Sequence, residues 1–131
     1  MTKKYGYFGI NCRNNLLQTP LHIASCIGNQ SLVKVLIDFG SDIGLVDRNI
    51  ENPIHLAVKY GNKSCLELLL SKSMKNKQIL NALNINGLSP LHLCVESGLD
   101  SAPNMIQMIV ESGADISQYL FIFFFFFFFI F

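Results

Sequence analysis

Apolar residues occur along this chain in two kinds of segment that alternate three times. A short apolar segment begins at a proline. A longer segment comes next along the chain, and its aliphatic residues recur at helical spacing around a single polar position. The short segments begin at Pro20, Pro53 and Pro90. The polar position is occupied in turn by Lys34, Glu67 and Gln107, and it marks the solvent side of a helix. The pattern therefore predicts three pairs of helices.

A six-residue motif opens each short segment. Residues 19–24, Thr-Pro-Leu-His-Ile-Ala, return in similar form at 52–57 and 89–94, so that the starts lie 33 and then 37 residues apart. The polar residue that opens each copy is predicted to cap the helix, and the proline fits the first helical position. Within the first copy, Leu21, Ile23 and Ala24 are predicted to face a stack of repeats. A period in this range is typical of a solenoid.

The motif and its period resemble the ankyrin repeat, and residues 113–116, Gly-Ala-Asp-Ile, resemble the segment that closes such a unit. The resemblance extends over residues 9–118. It implies an all-α solenoid of about three helix-turn-helix units joined by β-hairpin loops. We expect the repeats at about 14–46, 47–83 and 84–118, after a disordered lead-in at 1–8. Four extra residues near Lys75–Gln78 are predicted to lengthen a loop.

The last thirteen residues have a different composition from the repeats. Residues 119–131 are uncharged and include seven consecutive phenylalanines, Phe123–Phe129. The segment is shorter than the ~20 residues that a membrane-spanning helix needs. Three interpretations stay open: a low-complexity end such as a thymine-rich reading frame encodes, a short membrane or partner-docking anchor, and an unusual cap on the last repeat.

Charge and cysteine content exclude several classes of function. The formal net charge of +1 argues against direct nucleic-acid binding by overall basicity. All ten basic residues lie within residues 1–77, and residues 78–131 hold four acids and no base. Four cysteines without metal-site spacing indicate reduced thiols, and the polar N-terminus does not favour secretion. We therefore expect a cytoplasmic or nuclear protein.

The three histidines occupy one position of the repeated motif. The resemblance implies that each hydrogen-bonds within and between adjacent repeats, rather than binding a metal. The expected structural residues are Thr19, Pro20, His22, Pro53, His55, Pro90 and His92. The sequence contains no nucleophile elbow, phosphate-binding loop or H-E-x-x-H motif. We therefore predict no enzymatic activity, no metal and no cofactor.

A repeat stack offers a concave surface built from its hairpin tips and first helices. The resemblance implies that another protein binds there, and we expect the chain itself to be a monomer. Tyr60 is the strongest candidate contact, because aromatic residues are enriched among binding hot spots. The predicted contacts are Asn15, Leu16, Gln18, Ile27, Arg48, Asn49, Glu51, Lys59, Tyr60, Ile85, Leu88 and Glu96.

The partner is suggested by a narrower resemblance. Residues 18–24, 42–48 and 55–57, followed by an extended hairpin and residues 86–88, are similar to the ankyrin domain of NF-κB inhibitors and precursors. That subgroup holds Rel-type transcription factors in the cytoplasm by covering a basic localisation segment, which the acidic C-terminal third would suit. Two alternatives remain: a membrane-associated ankyrin segment, anchored by the tail or derived from a channel, and an adaptor that recruits substrates.

Overall fold

The computed structural model describes residues 9–73 and 76–117. Over these ranges the chain forms seven α-helices and no strand. The helices are α1 (Pro20–Ile27), α2 (Gln30–Asp38), α3 (Pro53–Lys59), α4 (Lys63–Ser73), α5 (Lys77–Leu80), α6 (Pro90–Glu96) and α7 (Ala102–Glu111). The predicted lead-in at 1–8, the tail at 119–131 and Lys75 of the insertion lie outside the described residues.

The helices pack as three successive pairs, α1 with α2, α3 with α4, and α6 with α7. The first helices stack on one another in the order α1, α3, α6. The second helices form a separate stack, in the order α2, α4, α7. We refer to the three pairs as repeats one, two and three. The architecture is the predicted all-α solenoid.

The first helix of every repeat begins with the same kind of N-cap and a proline. Its N-cap side chain, from Thr19, Asn52 or Ser89, accepts a hydrogen bond from the backbone N–H of the motif histidine. A proline follows the cap at the start of the helix, where its missing N–H costs nothing. The repeated motif thus fixes where each stack of helices starts.

Apolar residues from both helices of each repeat form one continuous core. Lys34, Glu67 and Gln107 are exposed, as the polar position of the second helices predicts. Ile23 was expected in the stack, but it is 40% exposed, whereas its equivalent Leu56 in the middle repeat is 3% exposed. The core includes Leu21, Ala24, Val33, Ile54, Ala57, Leu66, Leu69, Leu91, Cys94, Met105 and Ile109.

The described part of the insertion in repeat two is not the simple loop that we predicted. Asn76 caps a helical turn by accepting a hydrogen bond from the backbone N–H of Gln78 at 3.1 Å. Leu80 at the end of α5 is 1% exposed. Burial of Leu80 against the core gives these residues a reason to fold that an unanchored loop would not have.

Candidate protein-binding surface

Three five-residue tips, at residues 14–18, 47–51 and 84–88, lead into the first helices. The side chain of the first residue of each tip accepts hydrogen bonds from the backbone N–H groups two and four residues later. The backbone N–H of the same residue donates to the carbonyl of the fifth, at 2.9–3.0 Å. The first residues are Asn14, Asp47 and Asn84. Each tip is therefore a closed, internally bonded turn.

Neighbouring tips are also bonded to one another. The backbone N–H of Arg48 donates to the Leu16 carbonyl at 3.1 Å, and that of Ile85 donates to the Asn49 carbonyl at 2.8 Å. The Arg48 Nε atom donates to the Asn15 carbonyl at 2.7 Å. These tips keep hairpin-type hydrogen bonds, although no strand forms in residues 9–73 or 76–117. The result is a continuous row of tips along the stack.

The fourth residue of every tip has a left-handed backbone conformation. It is Leu17 with φ 60° in repeat one, Ile50 with φ 57° in repeat two and Gly87 with φ 76° in repeat three. Glycine adopts this conformation without strain, but a β-branched residue such as isoleucine does so rarely. The tip geometry is therefore imposed at Ile50 by the surrounding hydrogen bonds rather than by local preference.

The motif histidines connect each first helix to the following tip. The His22 Nδ1 atom accepts a hydrogen bond from the Thr19 backbone N–H at 3.1 Å, which leaves Nε2 as the protonated nitrogen. Nε2 then donates to the Glu51 carbonyl at 2.9 Å. His55 makes the corresponding bond to the Leu88 carbonyl at 3.2 Å. These contacts tie repeat one to two and repeat two to three.

Burial lowers the pKa of both His22 and His55, although their hydrogen bonds to backbone carbonyls partly oppose the effect. Both rings are therefore neutral at physiological pH, as the observed bonds require. Within the described ranges, no group of three or more metal-ligating side chains comes together. The geometry of the two rings is that of structural connectors.

One predicted contact residue, Glu51, is not available to a partner. Glu51 is 2% exposed, so the prediction that it contacts a partner is wrong. Its Oε2 accepts from Asn84 Nδ2 at 3.2 Å, and its Oε1 lies 3.4 Å from Lys59 Nζ. Because Asn84 belongs to the next tip, Glu51 is a connection between repeats.

A second connection, made by Asn62, was also missed. Asn29 and Asn62 occupy equivalent positions before the second helices of repeats one and two, and Asn29 caps its helix by accepting from the Leu32 N–H at 3.1 Å. The Asn62 side chain instead donates to the carbonyls of Ser25 and Cys26, at 2.6 and 2.9 Å. It thereby satisfies the C-terminal end of α1 in the preceding repeat.

The glycine at the end of α1 lies directly against the Asn62 side chain. Gly28 has φ 84°, and a Cβ atom there would lie 2.6 Å from Asn62 Oδ1. A glycine at this position therefore serves a close approach as well as a helix end.

Most of the other predicted contacts are exposed. Tyr60 is 56% exposed and Ile27 is 71% exposed, both at the C-terminal ends of first helices. Leu16 and Ile85, in the first and third tips, are 56% and 60% exposed. Gln18 and Leu88 are half-buried, and Asn15, Arg48, Asn49, Lys59 and Glu96 are exposed. We call the exposed residues of the three tips and of these helix ends the tip surface.

The tip surface also includes two apolar residues that sequence reasoning did not select. They are Leu17 and Ile50, the residues with left-handed backbone in the first two tips, at 39% and 46% exposed. Their shared position in the tips can be recognised only by aligning them with Gly87 of the third tip. The tip surface thus presents apolar side chains from all three repeats on a backbone held by hydrogen bonds.

Burial disfavours the reactive thiolate form of three of the four cysteines. All four are free thiols, and Cys65 and Cys94 are buried. Burial raises the pKa of Cys26 and Cys65, and raises the pKa of Cys94 to about 11. Since the thiolate is the reactive form, Cys94 is almost entirely unreactive at neutral pH.

The chain belongs to the ankyrin-repeat family. The family model, which describes ankyrin repeats in three copies, matches residues 5–79 and 21–119. Among characterised relatives, the NF-kappa-B p105 subunit of Rattus norvegicus is 36% identical over 108 residues, which is 82% of this chain. The B-cell lymphoma 3 protein homolog of Mus musculus is 34% identical over 113 residues, or 86% of the chain.

These relatives are much longer than the present sequence. The chain spans 11% of the length of the rat p105 subunit and 25% of the length of the mouse protein. The B-cell lymphoma 3 protein of Homo sapiens, 35% identical over 103 residues, is matched over 22% of its length. The similarity therefore concerns a three-repeat segment of each relative.

In the described residues, no helix combines the length and the apolar character that crossing a bilayer requires.

Proposed function

We propose that this chain is a non-enzymatic protein-binding module that holds another protein against the tip surface. One observation carries the proposal: side chains that differ between repeats, such as Leu16, Tyr60 and Ile85, are exposed, while the motif residues Leu21, His22 and Ala24 and their equivalents are buried. Rigid tips lower the entropic cost of binding, because little ordering is needed when a partner docks. The ankyrin-repeat family membership supports the same class of function.

We further propose that the partner is a Rel-type transcription factor, bound in the cytoplasm or nucleus through a basic segment. Two observations support this. The chain is similar to ankyrin regions of the p105 subunit and of B-cell lymphoma 3 proteins. The exposed residues Glu96, Asp100, Glu111 and Asp115 also give the third repeat an acidic surface without a single Lys or Arg after residue 77. Complementary charge of this kind favours selective association with a basic partner.

The first experiment tests the surface. Tyr60→Ala is expected to weaken binding to a purified Rel-type dimer by about 2 kcal/mol, as for a central aromatic contact. Phe39→Ala is the matched control, because Phe39 is 77% exposed but caps the C-terminal end of a second helix, α2, and is not part of the tip surface. Isothermal titration gives both affinities. Equal losses for the two variants, or a loss only for Phe39→Ala, would place the binding site elsewhere.

The second experiment tests the chemistry of the partner. A variant with Glu96→Gln, Asp100→Asn, Glu111→Gln and Asp115→Asn keeps the side-chain shapes and removes four negative charges. We expect weaker binding to the Rel-type dimer and a smaller dependence of the affinity on salt. Unchanged affinity would count against a basic segment as the ligand, while leaving the tip surface itself open to another partner.

Fewer observations support the two alternatives that the sequence left open. The tail-anchored form of a membrane-associated segment depends on residues 119–131, which lie outside the described residues. It predicts that the protein leaves the membrane fraction when those residues are deleted. A substrate-recruiting adaptor would use the same tip surface, and no adaptor box in the sequence favours it.

A further inference from the structure

Asn86 is the only asparagine in the sequence that a glycine follows. Asn86 and Gly87 are the third and fourth residues of the third tip, and both are exposed. An asparagine side chain can react with the backbone nitrogen of the next residue, and the type of that residue decides how easily the two groups meet. Glycine leaves the approach open, because it has no side chain and has the widest range of backbone conformations.

The second tip holds a matched pair, because Asn49 and Ile50 are its third and fourth residues. Asn49 is also exposed, although the third tip lies beside it and the Ile85 N–H donates to its carbonyl at 2.8 Å. Exposure of an asparagine at this position therefore does not depend on whether another repeat follows. The chemical difference between the two pairs is the second residue, which is β-branched in one tip and a glycine in the other.

The restraint on the reacting nitrogen is the same in both tips. The Gly87 N–H donates to the Asn84 carbonyl at 2.9 Å, and the Ile50 N–H donates to the Asp47 carbonyl at 3.0 Å. This bond must open before the nitrogen can turn toward the preceding asparagine side chain. Once it opens, Gly87 meets little hindrance, because a Cβ atom there would have no atom of the described residues within 4 Å beyond its chain neighbours.

We propose that Asn86 is a site of spontaneous deamidation, with water as the only co-reactant. The Gly87 backbone nitrogen loses its proton and bonds to Cγ of Asn86, and the C–N bond of the side-chain amide breaks to release ammonia. The product is a cyclic imide, a succinimide. Water then opens the ring at either carbonyl. Opening at Cγ leaves aspartate at position 86, and opening at the backbone carbonyl leaves isoaspartate.

The isoaspartate product alters the backbone of the tip as well as its charge. The main chain then passes through the former side chain, which adds one carbon atom between residues 86 and 87. The tip depends on the present spacing, since Asn84 Oδ1 accepts from the backbone N–H groups of Asn86 and Leu88. The Leu88 carbonyl also accepts from His55 Nε2 at 3.2 Å. Isoaspartate at position 86 is therefore expected to loosen the third tip and its connection to repeat two.

Incubation of the full chain at pH 7.5 and pH 8.5, followed by peptide mapping with mass spectrometry, tests the proposal. The Asn86 amide is expected to be lost, while Asn49 keeps its amide under the same conditions. The loss is expected to be faster at pH 8.5, because the attacking nitrogen must be deprotonated. Chromatography separates the two products, and hydrogen exchange at the Leu88 N–H is expected to be faster in the isoaspartate fraction than in the unreacted chain.

Ile50→Gly is the matched variant, because it places a second Asn-Gly pair in the second tip. It is expected to lose the Asn49 amide as well. Asn86→Gln is expected to keep its amide, because its longer side chain would have to close a larger ring. Circular dichroism verifies that both variants keep their helices.

Three results would overturn the proposal. The first is an Asn86 amide that persists in the folded chain after the urea-unfolded chain has lost it. The second is equal loss of the Asn49 and Asn86 amides in the unchanged sequence. The third is an Ile50→Gly variant that keeps its Asn49 amide while Asn86 reacts.

Discussion

Glu51 combines a charge with almost complete burial. Its neighbours explain how the fold tolerates it: Asn84 Nδ2 donates to one carboxylate oxygen, and Lys59 Nζ approaches the other. Because the Lys59 side chain is 46% exposed, the ion pair itself contributes little to stability. The hydrogen bond to the buried Asn84 matters more, since an unpaired buried polar group is costly.

We therefore predict that Glu51→Ala lowers the free energy of unfolding by about 1–3 kcal/mol, because it leaves Asn84 Nδ2 without an acceptor. Glu51→Gln keeps an acceptor oxygen, and repeat one already has Gln18 at this position, so its cost should stay below about 1 kcal/mol. Urea unfolding measures both. Equal costs for the two variants would show that the contact to Asn84 is not what stabilises the tip.

The buried histidines make a second prediction at the residue scale. Burial lowers the pKa of His22 and His55 below the ordinary value of 6.5. Above pH 6.5 both are neutral in the folded and unfolded states, and their full contribution to stability is present. As the pH falls below 6.5, the unfolded chain binds protons that the folded chain does not. Stability is then lost, by up to about 1.4 kcal/mol per pH unit for each group, down to the folded pKa.

Urea unfolding at pH 7.5 and pH 5.5 tests the direction of this pH dependence of stability. The protein is expected to be less stable at pH 5.5, and His22→Gln is expected to show a smaller difference between the two conditions. Equal or greater stability at pH 5.5 would contradict the assignment of neutral Nε2–H histidines as the connectors between repeats.

Residue types alone could locate the caps, the prolines and the motif histidines, because these depend on neighbours within a few positions. The burial of Glu51 and the bonds of Asn62 could not be predicted in the same way. Glu51 meets Asn84 from a tip 33 residues away, and Asn62 meets carbonyls 36 and 37 residues away. Exposure at a tip depends on the repeat stacked beside it, which the spacing of one motif does not contain.

At the scale of the elements, the tips have one geometry and three different sequences. The same left-handed position is filled by Leu17, Ile50 and Gly87, so its conformation is set by the hydrogen bonds of the tip. The helix pairs were predictable because their caps and apolar spacing are local signals. The helical turn α5 was not, since it depends on burying Leu80 within the assembled core.

The tip alignment predicts opposite effects for a reciprocal exchange. Ile50→Gly removes the strain of a left-handed isoleucine, but it also raises the conformational entropy of the unfolded chain. The net effect is expected to be a stabilisation of about 0.5–1 kcal/mol. Gly87→Ile is expected to destabilise by a similar amount, and a Cβ atom there meets nothing within 4 Å, so that the cost is conformational. Thermal unfolding of the two variants measures the signs. Two changes of the same sign would mean that side-chain packing decides stability at this position.

At the scale of the whole molecule, the buried motif and the exposed tips have separate roles. Histidines, Glu51 and Asn62 join successive repeats, and the residues that vary between repeats are presented on the tip surface. The spacing of the motif was enough to predict the stack, and the resemblance to the ankyrin repeat implied the class of function.

Hydrogen–deuterium exchange of the full chain, with and without a Rel-type dimer, tests the central proposal most directly. Binding at the tip surface predicts slower exchange at residues 14–18, 47–51 and 84–88 and at the C-terminal ends of α1, α3 and α6. Exchange in the second helices α2 and α4, which carry none of the proposed contacts, should remain unchanged. Protection confined to the second helices, with none at the tips, would contradict the proposal.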